Sequence, residues 1–563
     1  MKSYTIQKND DQGARAAIER LYIAMRHLFI RGSYKPTGLS GEALIEALMT
    51  LQPEIYGLIA NPERVELDGL LYIFKRLPKG IEQSRYIKLI SREGFEKSQF
   101  EPIVATARRR NCYRIDDEQM FIEMTRGRSD IYDILTHLTF MFIESQKILR
   151  NSLDQKGDVR REWEMLKIIV EKEQRGEEFN KEVAFTYLST ILARTFDETA
   201  KAYQLFQKSS DVNSLFHIVY WLGQRAMEEQ KEGKDREITF SNALRDKIGH
   251  HIYGEIWANK IKEFLFENDL IHRPLHIISA NLHSVMNSLY AKAALGNEYE
   301  SLRVEEIAKQ LSLSENHTLE HKVQTYASRH GMSQIEDESG MNISVQLFDT
   351  ALINWDKVSA ELNFDTDYIE IEKPVIFVMD YAFGEQAFEL MDELLKPYEH
   401  PDPTPLNVQS IAIMGKAGIL EGDKGDIMLP YAHIFEGTAD NYPFENDLCV
   451  EDFEGSGVPA RAGAMVSVLG TSLQNRDILR FFHGSSWKVI GLEMEGAHYQ
   501  KAIQAAAKIR KNINSNVIVR YAYYASDNPL LSGQTLASGS LGLVGVRPTY
   551  VITVKLLDKI LSS

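Results

Sequence analysis

Apolar positions in the first two-thirds of the chain recur at spacings of three and four. Residues 13–30, GARAAIERLYIAMRHLFI, place them on one face of a helix. The same period runs through 129–151, 160–173, 182–207 and 214–230. Glycine and proline are sparse and fall between these runs, and strand-like alternation is rare. No fixed period marks a solenoid. After residue 365 the pattern changes. Short β-rich runs at 374–379, 408–414, 426–429, 464–469, 488–492 and 516–524 alternate with helical runs at 385–395, 477–482, 496–510 and 549–561. Such alternation predicts an α/β layer fold with a mostly parallel sheet.

The acidic stretch DTDYIEIEKP precedes the first of these β runs, which puts a linker at 355–372. Three domains are expected: an α-helical one at 1–240, a second helical and winged-helix-like one at 241–360, and the α/β domain at 366–563. Residues 302–330 read as a helix-turn-helix broken at Leu311-Ser312-Leu313-Ser314. Glu305, Glu306, Glu315 and Glu320 lie within it, so a packing module is favoured over a DNA reader.

Composition narrows the class. The chain of 563 residues is 44% hydrophobic and 26% charged, as in a globular protein. Cys112 and Cys449 are its two cysteines, so neither a disulfide framework nor a zinc ligand set is expected. The start, MKSYTIQKNDDQ, is polar, and no apolar run reaches membrane length. A cytoplasmic protein without membrane contact is expected. A net charge of −16 disfavours nucleic acid as a partner. It leaves room for a small anion held by a few cations. One basic cluster, Arg108-Arg109-Arg110 with Arg114, Arg126 and Arg128, reads first as a salt-bridged surface and second as a phosphate or nucleotide site.

Candidate chemistry lies at the ends of the C-terminal β runs. Gly491-Leu492-Glu493-Met494-Glu495-Gly496 sets two carboxylates where a strand opens a helix. Ala525-Ser526-Asp527 ends the run NVIVRYAYY, and an aspartate there stands where open α/β sheets bind ligands. Gly415-Lys416-Ala417-Gly418 follows the run SIAIM, and its small residues admit close approach by an anion or a sugar. Breaking a nucleoside C–N bond needs three services: a grip on the ribose, a proton for the leaving base, and a nucleophile at the anomeric carbon. Carboxylates suit all three.

The order GKAG, KGDIMLP, GAMVSVLGTS, GLEMEGAHY and YYASDNPL resembles the nucleoside phosphorylase/nucleosidase superfamily over about residues 374–561. The resemblance implies a three-layer α/β/α domain with a mixed sheet, preceded by the large, mostly α-helical region. It implies no cofactor or metal, a purine nucleoside or nucleotide as ligand, with phosphate as a second candidate, and a homo-oligomer. It assigns Asp527 to protonating or hydrogen-bonding N7 of the purine, with Ser526 beside it. Glu495 would bind the ribose hydroxyls, Met494 would pack on the sugar, and Glu493 would support the site. Gly415, Lys416, Ala417 and Gly418 would face the nucleophile. Glu385, after the first strand, would activate water.

Two departures separate the chain from phosphorylases. Met379-Asp380-Tyr381-Ala382-Phe383 stands where they carry a Gly-Asp-Pro-x-Arg phosphate motif, and no arginine precedes Gly415. Water is therefore the favoured nucleophile, with phosphate-dependent cleavage and a silent nucleotide sensor as alternatives. The stretches Glu436–Tyr442, Gly470-Thr471 with Asn475-Arg476, and Ser526–Leu530 resemble AMP nucleosidases more closely, although Glu-Met-Glu-Gly-Ala replaces their commoner Asp-Met-Glu-Thr-Ala. Thr471 joins the binding set on that ground. A 5′-phosphate would need cations, and from residue 366 on there are 16 Lys and Arg against 25 Asp and Glu. Lys416, Arg461 and Arg476 are the candidates, because they lie in or beside the motifs.

Overall fold

A computed structural model describes residues 11–105, 107–313, 316–399, 401–531 and 541–562. Ser314 and Glu315 of the helix-turn-helix reading, and the first ten residues, lie outside them. The chain forms two compact units. No helix among the described residues is long and apolar enough to cross a membrane.

The first unit comprises Met1–Thr125, Asp130–His250 and Ser472–Ile478. Its helical periodicity is realised in Asp11–Arg31, Arg161–Gln174, Lys181–Leu192, Phe196–Gln207 and Leu215–Glu232. The single run expected at 182–207 is two helices. Ala193 takes φ 50° and ends the first. Thr195 then caps the second, accepting from the Glu198 N–H while Glu198 accepts from the Thr195 N–H.

This unit also holds a six-stranded mixed sheet that the helical period conceals. Its strands are β1 (Ser33–Tyr34), β2 (Tyr86–Ile90), β3 (Ile103–Ala105), β4 (Arg108–Arg114), β5 (Gln119–Glu123) and β6 (Glu237–Phe240), in the order β1-β6-β2-β5-β4-β3. β4, RRRNCYR, does not read as a strand because its buried positions include a charge. Arg110 is 5% exposed and is neutralised by Asp130 at 2.6 Å and Asp133 at 2.7 Å.

The second unit comprises Arg126–Ser129, His251–Thr471 and Leu479–Ser563. It is built on a ten-stranded mixed sheet. The strands in chain order are β7 (Leu275–Ser279), β8 (Met332–Ile335), β9 (Val345–Asp349) and β10 (Val375–Met379), then a separate ribbon of β11 (Tyr398–Glu399) and β12 (Pro403–Thr404). The sheet continues with β13 (Val408–Ile419), β14 (Ile427–Phe435), β15 (Asn441–Pro443), β16 (Ala460–Ser467), β17 (Val489–Glu493) and β18 (Ile518–Asp527). Three of these strands, β7, β8 and β9, come from the stretch 241–360, which the sequence presented as helical. β7, LHIIS, is buried along its whole length between β13 and β10. A short, continuously apolar strand carries no alternation to betray it.

β10, β7, β13 and β18 run parallel, and β14, β16 and β17 are parallel to one another. A bulge between Ala417 and Gly418 bends the end of β13 onto β17. Helices Leu282–Leu295, Val304–Leu311 and Val546–Leu561 share one apolar core with the sheet through Ile278, Leu289, Ile307, Ile376, Ala412 and Leu557. The unit is thus α/β with a mixed sheet.

Candidate active site

Gly418 locates the carboxylates. It is in register with Leu492 of β17 on one side and with Asp527, the last residue of β18, on the other. Glu493 ends β17, and Glu495 follows two residues on. The carboxyl ends of β7, β10, β13 and β18 share this edge of the sheet, the position at which open α/β sheets take ligands.

Glu493 is 4% exposed. It anchors the turn after β17 by accepting the Ser467 hydroxyl, the Glu495 N–H at 2.5 Å and the Gly496 N–H. Nδ1 of the buried His433 stands 3.4 Å from its carboxylate. Burial pushes this carboxyl up, but the donors around it outweigh burial and hold it below the ordinary value. Gly496 is required where it stands, since a Cβ would lie 2.3 Å from the His433 ring.

Glu495 moves the other way. Burial, and then the charge of Glu493, push it up to about 8 against the opposing N–H groups of Gly384 and Met494 and the charge of Arg126. One oxygen accepts the Gly384 N–H at 2.8 Å, and the other accepts the Met494 N–H at 3.3 Å. Two carboxyls two residues apart are therefore driven to opposite protonation states, the separation that acid–base sites exploit.

The bond to Gly384 ties the end of β10 to the end of β17 and so brings Glu385 to the same place. Gly384 has φ 55°, and a Cβ there would meet Ser129 Oγ at 2.4 Å. Glu385 donates its N–H to Ser129 Oγ at 2.9 Å, and Arg128 holds its carboxylate at 2.9 Å. The Arg126 guanidinium lies 5.3 Å from the centre of the Phe383 ring. Two arginines therefore flank the carboxylates, supplied by Arg126–Ser129, a segment of the same unit.

Asp527 is 1% exposed. The Ser526 hydroxyl bridges its carboxylate and the Ala417 carbonyl, the latter at 3.0 Å. Gly415, Lys416 and Ala417 pair with Tyr523, Tyr524 and Ala525. Met494 and Ala417 are buried, while Lys416 is exposed.

The sequence-derived residues thus divide. Glu385, Glu493, Met494, Glu495, Ala417, Gly418, Ser526 and Asp527 come together. Thr471 lies in a short turn four residues past Ser467. Arg461, at the start of β16, is engaged by Asp426 at 3.5 Å and Glu421 at 3.8 Å. Arg476 belongs to the first unit and pairs with Glu54 at 3.5 Å. Residues the sequence did not single out for the site are Gly384, Ser467, Arg126, Arg128 and Ser129. Arg126 and Arg128 stood out as a basic cluster, but nothing local links them to Glu385, which lies 257 residues beyond Arg128.

For a metal, ligand atoms of His251, Asp392 and Glu393 approach one another among the described residues. Arg510, at 2.6 Å from Asp392, and Lys396, at 2.7 Å from Glu393, already neutralise both carboxylates.

A family model described as "Family of unknown function (DUF6909)" matches residues 42–306 and 306–562. The chain belongs to this family. No curated protein matches it in sequence. Similar solved structures include the 5′-methylthioadenosine/S-adenosyl homocysteine nucleosidase of Campylobacter jejuni, at 12% identity and TM-score 0.30, covering 51% of this chain and 99% of that one. Native futalosine hydrolase of Helicobacter pylori is at 12% and 0.30, with coverages of 51% and 98%. The 5′-methylthioadenosine nucleosidase of Arabidopsis thaliana is at 11% and 0.29, with coverages of 52% and 96%.

Proposed function

We propose that the second unit is a purine nucleosidase that hydrolyses the N-glycosidic bond of a nucleotide, with AMP favoured, releasing adenine and ribose 5-phosphate. The reading is carried by the convergence of three carboxylates at one edge of the sheet: Glu495 bonded to Gly384 beside Glu385, and Asp527 across Gly418 from β17.

In this mechanism Asp527 donates a proton or hydrogen bond to N7 of the base, which makes the base a better leaving group. As the C–N bond stretches, positive charge grows on the ribosyl ring. Glu495, resisted in its ionised form by burial and by the charge of Glu493, gains a counter-charge there and accepts from the ribose hydroxyls. The carboxylate is thus stabilised most where the transition state develops charge. Glu385 orients the attacking water, itself held in place by Arg128 and Ser129. Glu493 shapes the turn rather than reacting, because its oxygens are occupied by Ser467, Glu495, Gly496 and His433.

Arg126 and Arg128 support a phosphorylated substrate better than Lys416, Arg461 or Arg476 do, since they stand at Glu385 and Glu495. The same two arginines favour a second reading, in which they hold inorganic phosphate as the nucleophile and the enzyme is a phosphorylase. The deciding experiment incubates the protein with AMP, adenosine, inosine and methylthioadenosine, with and without phosphate, and follows free base by chromatography. Adenine from AMP without phosphate supports the hydrolase, and base released only with phosphate makes it a phosphorylase. Tight nucleotide binding without base release leaves a sensor. With Arg126→Gln, KM for AMP should rise tenfold or more while that for adenosine changes little. An equal effect on both would remove the phosphate role.

A further inference from the structure

The first unit holds a cavity of about 410 Å³ lined by Lys79, Gly80, Gln83, Ile103, Arg114, Asn213 and His217. We infer that this cavity is a binding site for a phosphate group, carried by a small phosphomonoester or as the free ion. It is a site separate from the carboxylate cluster, and it stands whether or not the proposed catalytic reading does.

Two cations, Lys79 and Arg114, line the cavity. Among the described residues neither Lys79 nor Arg114 makes an ion pair. Lys79 Nζ donates to the Ser210 carbonyl at 3.0 Å. Arg114 donates through Nε to the Asp116 carbonyl at 3.3 Å and through a terminal nitrogen to the Gln83 side chain. These neutral acceptors position the cations without tying either into an ion pair. The arrangement is unlike Arg108 and Arg110 on the same strand, whose charges are consumed by Asp133 and Asp130.

The polar groups between the two cations are preorganised. Gln83 Nε2 lies 2.9 Å from His217 Nε2, and Asn213 donates to Glu82 at 2.5 Å. Burial first, and then the charges of Arg114 and Lys79, lower His217 to about 4. Glu82 lies 3.4 Å from His217. Burial raises the Glu82 carboxyl, against the Asn213 amide and the charges of Arg114 and Lys79. A cleft with a cation on each side suits a tetrahedral oxyanion, which can take a charge-assisted bond from each.

The test is calorimetric titration of the full-length protein with inorganic phosphate, at constant ionic strength set by chloride, with glycerol phosphate as the monoester arm. The wild type should bind one equivalent that chloride does not displace. Lys79→Ala removes a largely solvent-exposed side chain and should cost tenfold or more in affinity, as loss of one charge-assisted bond implies. Arg114→Ala should cost at least as much, and Arg126→Ala should leave this equivalent unchanged. Tighter binding of glycerol phosphate assigns the site to a monoester, and tighter binding of phosphate assigns it to the free ion. The proposal is overturned if no phosphate binds, or if binding survives Lys79→Ala and Arg114→Ala but is lost in Arg126→Ala.

Discussion

Replacing Glu495 by glutamine isolates the electrostatic cost of the site. Raising a carboxyl from 4.5 to about 8 disfavours its ionised form by roughly 4–5 kcal/mol relative to the unfolded chain. The sign follows from proton binding. Below pH 4.5 the group is protonated in both states and contributes nothing. Between 4.5 and 8 the unfolded chain releases the proton and the folded one keeps it, so stability falls with rising pH. Above 8 both forms are ionised and the cost is constant. Glutamine removes this cost. It gives up part of the hydrogen bonding to Gly384 and Met494, about 1–2 kcal/mol, which leaves a net gain of about 3 kcal/mol at pH 8.5. For a unit of this size that corresponds to a rise of roughly 5–10 °C in melting temperature. Differential scanning calorimetry of both proteins at pH 5 and pH 8.5 should show curves nearly together at pH 5 and well apart at pH 8.5, with the variant more stable. The same variant should lose turnover. A pH-independent difference, or a less stable variant at pH 8.5, would refute the account of Glu495 as an ion held under strain.

Three further outcomes are expected. Asp527→Asn should lower turnover by about 10²–10⁴-fold, the usual share of a general acid, while circular dichroism stays unchanged; full activity would remove Asp527 from the mechanism. Because the reading needs Glu495 ionised in the transition state, kcat/KM for base release should rise with pH and level off above about 8; a profile flat from pH 5 to 9 contradicts it. Gly496→Ala should destabilise the protein by about 1–3 kcal/mol, since the new Cβ would lie 2.3 Å from His433 Cε1 and 2.8 Å from the Tyr523 hydroxyl; an unchanged denaturant midpoint would show that the turn yields at no cost.

Some of this protein is written locally. The change of period after residue 365 marks the α/β part because β13, β14, β16, β17 and β18 each carry their own apolar run. The motifs GLEMEG and YYASD carry the carboxylates of the proposed site because ligand-binding groups of open α/β sheets sit at strand ends, within a few residues of the strand that places them. The capping box at Thr195–Glu198 likewise needs only four consecutive residues. Tertiary structure decided the rest. That β7, β8 and β9 join the main sheet depends on pairing across a hundred residues or more, as between Leu275 and Val375 or Val408, and short buried strands show no period to announce it. β4 is a strand although Arg110 stands in its buried row, because Asp130 and Asp133 neutralise that charge from a helix. The cations of the site followed the same logic. Arg461 and Arg476, adjacent to the motifs in sequence, are occupied by Asp426, Glu421 and Glu54, whereas Arg126 and Arg128 reach the carboxylates from far upstream. Hydrophobic period and strand-end chemistry are properties of neighbouring residues. Charge compensation and sheet order are properties of distance in space, which chain position does not encode.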